Sequence, residues 1–159
     1  MTRLPSLGPR GEGWVALQFA LFGLIALAGW QAGDAWTGPL TALTLLIGLG
    51  LMLAGIVLGG AGLLGLGRNL TPMPHPRAGA DLVETGAYAS ARHPIYGGII
   101  AFAFGWGLLV ASPLALLLAA TLAGFFELKS RREEAWLIEH LDGYAEYMTR
   151  TRRFFPRLH

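Results

Sequence analysis

Two long stretches of this chain carry no charged side chain, and they restrict its folding options more than any other feature. No Asp, Glu, Lys or Arg occurs between Asp34 and Arg68, and none from Ile95 to Phe126. Each stretch exceeds the ~20 residues a helix needs to cross a bilayer core. Composition agrees: hydrophobic residues make up 53% of the 159 residues and charged residues 14%, against roughly 25% charged in soluble domains. The expectation is an all-α integral membrane bundle, a single membrane domain over residues 1–159 with about four transmembrane helices.

Four apolar segments can be placed: Trp14–Gln31, Leu40–Leu66, Ile95–Ala111 and Leu114–Phe126. The first holds one strongly polar interior residue, Gln18. Arg3 and Arg10 before it and Ala26-Leu27-Ala28 within it resemble a cleaved leader, but the apolar run is too long for one, so a retained helix is expected. The fourth segment offers only ~13 apolar residues, too few to span about 30 Å at 1.5 Å per residue. Glu127–Leu141 has good helix formers and neither Gly nor Pro, so this helix should continue out of the membrane. Ser112-Pro113 then joins the third and fourth helices as a tight hairpin.

The basic residues set the topology. All twelve lie before the first span, between Arg68 and His93, or after Glu127. With four spans these regions share one face, and the excess of Lys and Arg places that face in the cytoplasm together with both termini. The second segment is rich in glycine. Gly55-x-x-x-Gly59 and Gly97-x-x-x-Ala101-x-x-x-Gly105 make small-residue faces for close helix contact, expected to pack within the bundle rather than between copies; the oligomeric state is left open.

Cysteine is absent, which removes disulfides, thiolate catalysis and Cys-based metal sites. His75, His93, His140 and His159 do not fall at the spacing of a helical metal pair, so no metal is expected. The net charge of +2 follows from membrane orientation rather than nucleic-acid binding.

Chemistry concentrates in two places. Tyr88, Arg92, His93 and Tyr96 fall within nine residues at the doorstep of the third span. Pro94 suits the first turn of a helix and disfavours helix at His93, so His93 should cap that helix. The helix start, with Arg92 beside it, is suited to an anion; an interfacial anchor of Arg92 with Tyr88 and Tyr96 is the plainer reading of the same residues. The second place is Lys129–Glu134, where Lys129 and Glu133 share a helix face. A carboxylate there can hold an ammonium group and a lysine can meet an acidic substrate, although a solvated charged helix accounts for the same pattern. The proline-rich Arg68–Val83 loop can fold over a site as a lid, and Arg150, Arg152 and Arg153 are placed to lie on anionic headgroups.

Taken together, these blocks resemble the isoprenylcysteine carboxyl methyltransferase and phospholipid methyltransferase superfamily of membrane enzymes. The resemblance runs from about Gly67 to Pro156. It is carried by Leu82-Val-x-x-Gly86-x-Tyr88, Arg92-His93-Pro94-x-Tyr96, Glu133-Glu134-x-x-Leu137, and Tyr144-x-x-Tyr147 ending in Arg153-Phe-x-Pro156. It implies two N-terminal transmembrane helices over 1–67 and a catalytic region over 68–156 with a cytoplasmic cofactor pocket. The implied cofactor is S-adenosyl-L-methionine, lined by Leu82, Val83, Tyr88, His93, Pro94, Ile95, Tyr96 and Glu133, with Glu133 on its ammonium group. Lys129 falls where relatives acting on prenylated cysteine carry an arginine for the substrate carboxylate, so Lys129 and Glu133 are the implied catalytic pair and Lys129 the substrate contact. Lysine lacks the bidentate fork of arginine, which separates this chain from those relatives. The implied acceptor is lipid-like or a small apolar molecule, either isoprenylcysteine carboxylate-like or phospholipid amine-like. An NADPH-dependent membrane reductase and a non-enzymatic membrane protein retaining the fold are the alternatives. Glu133-Glu134 suits a nicotinamide phosphate poorly.

Overall fold

The computed structural model describes residues 7–31, 36–71 and 81–156, together with Pro5, Met73 and Gly79. Part of the basic-free connection after the first helix and the proline-rich centre of the proposed lid, His75 and Arg77 included, lie outside these residues. So do Arg3, Arg157 and His159.

Five α-helices and no named strand occur among the described residues: α1 (Glu12–Trp30), α2 (Pro39–Leu66), α3 (Pro94–Leu109), α4 (Pro113–His140) and α5 (Tyr144–Arg150). Three of them, α1, α2 and α4, are long and apolar enough to cross a membrane by length and composition. α3 is apolar but has 16 residues, roughly 24 Å of helix, so it falls short of the other three as a spanning segment. α4 runs unbroken from its apolar half through Glu127 to His140, as its run of helix formers predicts. Leu46, Leu53, Val57 and Leu64 of α2 are exposed, an apolar surface that water would not tolerate at this extent and that suits lipid.

The α3–α4 hairpin turns where expected. Pro113 occupies the first turn of α4, and the Ser112 hydroxyl accepts from the Ala115 N–H at 3.1 Å, satisfying one of the donors a helix start leaves open. The same hydroxyl donates to the Ala28 carbonyl at 3.1 Å, tying the hairpin to the end of α1.

Glycine lets α2 and α3 meet backbone to backbone. A Cβ built on Gly98 would lie 2.6 Å from the Gly55 carbonyl oxygen and 2.6 Å from the Gly59 nitrogen, and one on Gly105 would lie 2.6 Å from the Gly48 carbonyl oxygen. Gly55 and Gly59 thus pack inside the bundle; on α3 the contact runs through Gly98 and Gly105, while Gly97 of the expected face meets the Phe154 carbonyl instead. The other side of α3 joins a core of Ile25, Ile100, Ala103, Ala119, Leu122 and Phe126 shared with α1 and α4. From Phe126 an aromatic column climbs toward the end of the bundle: Tyr96 stacks on Phe126 at 4.4 Å, and His93 stacks on Tyr96 at 5.3 Å. The apolar core thereby fixes two polar rings at the start of α3.

Because the Gly98 clash involves backbone rather than a movable side-chain tip, Gly98→Ala should destabilise the bundle by about 2 kcal/mol, the usual scale of overpacking. Gly60→Ala, which meets open space, should be neutral or raise stability by up to about 1 kcal/mol through helix propensity. Thermal unfolding of both variants in detergent checks this; equal melting temperatures would refute the close-packing account.

Candidate active site

The start of α3, the second half of α4 and Tyr144 and Tyr147 of α5 help enclose a cavity of about 340 Å³, within the range of small-molecule sites. Lys129, Glu133, Leu137 and Leu141 all line it. Steps of four residues keep them on one face of α4, and at 1.5 Å per residue the stripe is roughly 18 Å long. Facing it are Leu63 and Leu66 of α2, Tyr88, His93, Ile95, Tyr96 and Ile99 around α3, and Asn69, Leu70, Thr71 and Asp81–Val83 of the connecting loop. The described ends of the suspected lid thus border the cavity.

The adjacent glutamates play different parts. Glu134 is buried among the chain's own cations. Arg92 Nε donates to its Oε1 at 2.9 Å, and Arg153 donates to Oε2 at 2.7 Å through Nη2 and to Oε1 at 3.2 Å through Nε. His93 Nε2 lies 3.3 Å from Oε1, at ion-pair distance but without hydrogen-bond alignment. Arg92 Nη1 also donates to the carbonyls of Met148, at 3.1 Å, and of Thr151, and Arg153 pairs with Glu127. Backbone bonds complete the joint: the Arg92 N–H donates to the Arg152 carbonyl at 2.8 Å and the His93 N–H to the Arg153 carbonyl at 2.7 Å. Gly97 makes room for it, since a Cβ there would collide with the Phe154 carbonyl.

Glu133, one residue earlier, turns to the cavity. Its Oε2 accepts from the Tyr96 hydroxyl at 2.9 Å and lies 3.8 Å from His93 Nδ1. Lys129 is 1% exposed. Its ammonium donates to Gln18 Oε1 at 2.6 Å and sits 5.2 Å from the centre of the Tyr96 ring. Gln18 of α1 lines the cavity too, so the one polar residue inside the first apolar segment is spent on the site.

Leu82, Val83, Tyr88, His93, Ile95, Tyr96, Lys129 and Glu133 therefore border one space. Pro94 does not: it is fully buried in the first turn of α3, where a Cβ on Gly62 would touch its ring. The acidic groups at the start of α3 are the chain's own Glu133 and Glu134. The headgroup assignment for the tail needs correction at Arg153; Arg150 remains exposed beside its surface partner. Arg153 is held by Glu134 and Glu127, and Arg150 pairs with Glu84 at 2.8 Å. Three contributors escaped sequence reasoning as site residues: Gln18, Tyr144 and the Glu134 clamp. Gln18 had a visible signal in its isolation among apolar neighbours. Tyr144 and the clamp depend on where the tail returns, which no local pattern gives.

Burial governs the tyrosines. Tyr88 is pushed above the usual phenol range first by desolvation and then by the Glu133 charge, and burial lifts Tyr147 to about 12. Both stay neutral at physiological pH. The Tyr147 hydroxyl donates to the Tyr88 carbonyl at 2.6 Å, so its role is to hold the loop before α3. No group of three or more His, Cys, Asp or Glu among the described residues is placed to hold a metal ion.

A family model described as phospholipid methyltransferase matches residues 43–142. The chain is 43% identical over 68 residues to protein-S-isoprenylcysteine O-methyltransferase of Saccharomyces cerevisiae, a stretch covering 42% of this chain and 28% of that protein. It is 35% identical over 83 residues to the nickel-cobalt-cadmium resistance protein NccN of Alcaligenes xylosoxydans xylosoxydans, covering 52% of this chain and 39% of the relative. It is 34% identical over 83 residues to the cobalt-zinc-cadmium resistance protein CzcN of Cupriavidus metallidurans, covering 52% and 38%. The matched stretches thus span well under half the length of each relative.

The two glutamates should separate cleanly on substitution. Glu134→Gln leaves two arginines facing a neutral amide in a buried joint and should cost about 3 kcal/mol. Residues 151–156 should then exchange amide hydrogen faster and become open to protease. Glu133→Gln should leave stability within about 0.5 kcal/mol, since its amide oxygen can still accept from Tyr96. Equal losses in the two variants would contradict the division of labour.

Proposed function

Because the chain belongs to the phospholipid methyltransferase family, we propose that it is a multi-pass membrane enzyme transferring a methyl group from S-adenosyl-L-methionine to a lipid-like or small apolar acceptor. The observation carrying this reading is the pairing of a cavity-facing carboxylate, Glu133, with a neighbouring carboxylate already neutralised by Arg92 and Arg153. Glu133 is left to meet a cation at the inner end of a cavity that is mostly apolar and aromatic, while Asp81 sits at its exposed loop border. Glu133 would hold the cofactor's ammonium group, with Leu82, Val83, Tyr88, His93, Ile95 and Tyr96 around the rest, while Pro94 acts by setting the start of α3. The cofactor supplies the methyl group on a sulfonium centre.

The protein's part in such a transfer is alignment, which supplies much of the rate when two reactants must meet in line. Lys129, held by Gln18 and shielded from water, would orient the acceptor at the membrane-side end of the α4 stripe. An acceptor carrying an oxyanion, as an isoprenylcysteine carboxylate does, fits a lysine there. A phospholipid amine would lie nearer Glu133. In this reading α3 counts as a fourth, short span, residues 1–67 supply two helices and 68–156 the catalytic region, and the clustering of basic residues favours the cytoplasmic side for the cavity and both termini. The carboxylates along the cavity disfavour the phosphates of a nicotinamide nucleotide, so the reductase reading is the weaker one.

Calorimetry on the protein in detergent tests this. S-adenosylmethionine and S-adenosylhomocysteine should bind at one site, and NADPH should not. Glu133→Ala should weaken both by at least about tenfold, the loss of one charge-assisted contact, and His93→Ala should weaken them less. Absence of binding by the unmodified protein would sink the proposal; unchanged affinity in Glu133→Ala would overturn the residue assignment.

A further inference from the structure

Tyr144 opens α5, just beyond the matched residues 43–142. It is 4% exposed and lines the cavity, yet its hydroxyl is buried with no hydrogen-bond partner among the described residues. A buried hydroxyl left unpaired is costly and needs a reason. Its neighbour one turn on, Tyr147, shows the satisfied alternative by donating to the Tyr88 carbonyl. The groups with electrostatic influence on the Tyr144 hydroxyl are Glu134, Glu133, Arg92 and Tyr147. Tyr144 and Glu133 border the same cavity, so a ligand held by Glu133 occupies the space beside the Tyr144 ring.

We propose that the Tyr144 hydroxyl is a ligand contact, donating a hydrogen bond to the carboxylate of an amino-acid group whose ammonium is held by Glu133. This rests on the reading of the cavity as the cofactor site and adds a residue and a ligand atom to it. The chemistry is consistent on each side. An α-amino acid end carries adjacent positive and negative groups, and Glu133 suits only the first. A second carboxylate brought beside Glu133 needs a donor that adds no negative charge, and a phenol kept protonated by burial supplies one. Arg92 is close enough to temper the repulsion, although its own donors are engaged by Glu134, Met148 and Thr151.

Tyr144→Phe isolates the hydroxyl while keeping the ring. Calorimetry on the full chain in detergent should use two probes: S-adenosylhomocysteine, which has the amino-acid end, and 5′-methylthioadenosine, which lacks it. The expected result is a roughly tenfold loss of affinity for the first and no change for the second. The melting temperature of the ligand-free variant should be unchanged or raised, because an unpaired buried group has been removed. Unchanged affinity for S-adenosylhomocysteine would overturn the contact and leave the cofactor reading intact. An equal loss for both probes would overturn the carboxylate assignment. If the unmodified protein binds neither S-adenosylmethionine nor S-adenosylhomocysteine, the cofactor reading fails and this inference falls with it.

Discussion

The joint at Glu134 is the interaction on which the rest of the site depends. One buried carboxylate gathers Arg92, just before α3, and Arg153 from the tail, and this clamp lies directly behind the cavity, with Arg92 reaching its lining. Burying such a group is favourable only when its lone pairs are met by well-aligned donors. Here two guanidinium groups meet both oxygens. Arg92 then spends its remaining capacity on backbone carbonyls near the end of α5, so a single charge cluster ties three pieces of chain together. Its gain lies in geometry more than in net stabilisation, since a buried ion pair often does no better energetically than well-packed apolar residues.

That arrangement explains how a small bundle can carry a polar site. The apolar core ends in Phe126, and above it Tyr96 and His93 stack in turn. Core packing sets the rings, and the rings place the Tyr96 hydroxyl to donate to Glu133, with His93 at ion-pair distance. Close contact between α2 and α3 holds the base of this column, because the paired glycines allow backbone to approach backbone. The site is preorganised from below by packing and from above by charge.

Much of this was legible in the sequence. Charge-free stretches marked the membrane helices, Ser112-Pro113 marked the hairpin, and the run from Glu127 to Leu141 marked an extension of α4. Four ordered blocks of residues also pointed to one space, and most of those residues do border one cavity. The remainder required long-range placement. Glu133 and Glu134 are neighbours on a helix, some 100° apart around its axis, and which of them faces the cavity follows from how α4 packs against the bundle. Gln18 is a lone amide in an apolar helix until α1 is set beside Lys129. Tyr144 and Tyr147 look alike in a motif, yet one hydroxyl is bonded and the other is not. The third helix reads as a span from hydropathy, but its 16 residues end where Ala111 bends backward with φ of 52°.

The parallel bridge between Ala91 and Arg152 also joins parts of the chain that are far apart in synthesis. During synthesis Arg92 emerges well before its partner Thr151, 59 residues later, and Glu134 waits beside it for Arg153. Until the tail arrives, two buried-to-be charges and a pair of backbone N–H groups have only water or headgroups to satisfy them. The clamp behind the cavity is therefore complete only once the tail has been made. The charge balance around Glu133 depends on a residue, Arg153, that follows every helix of the bundle in the chain.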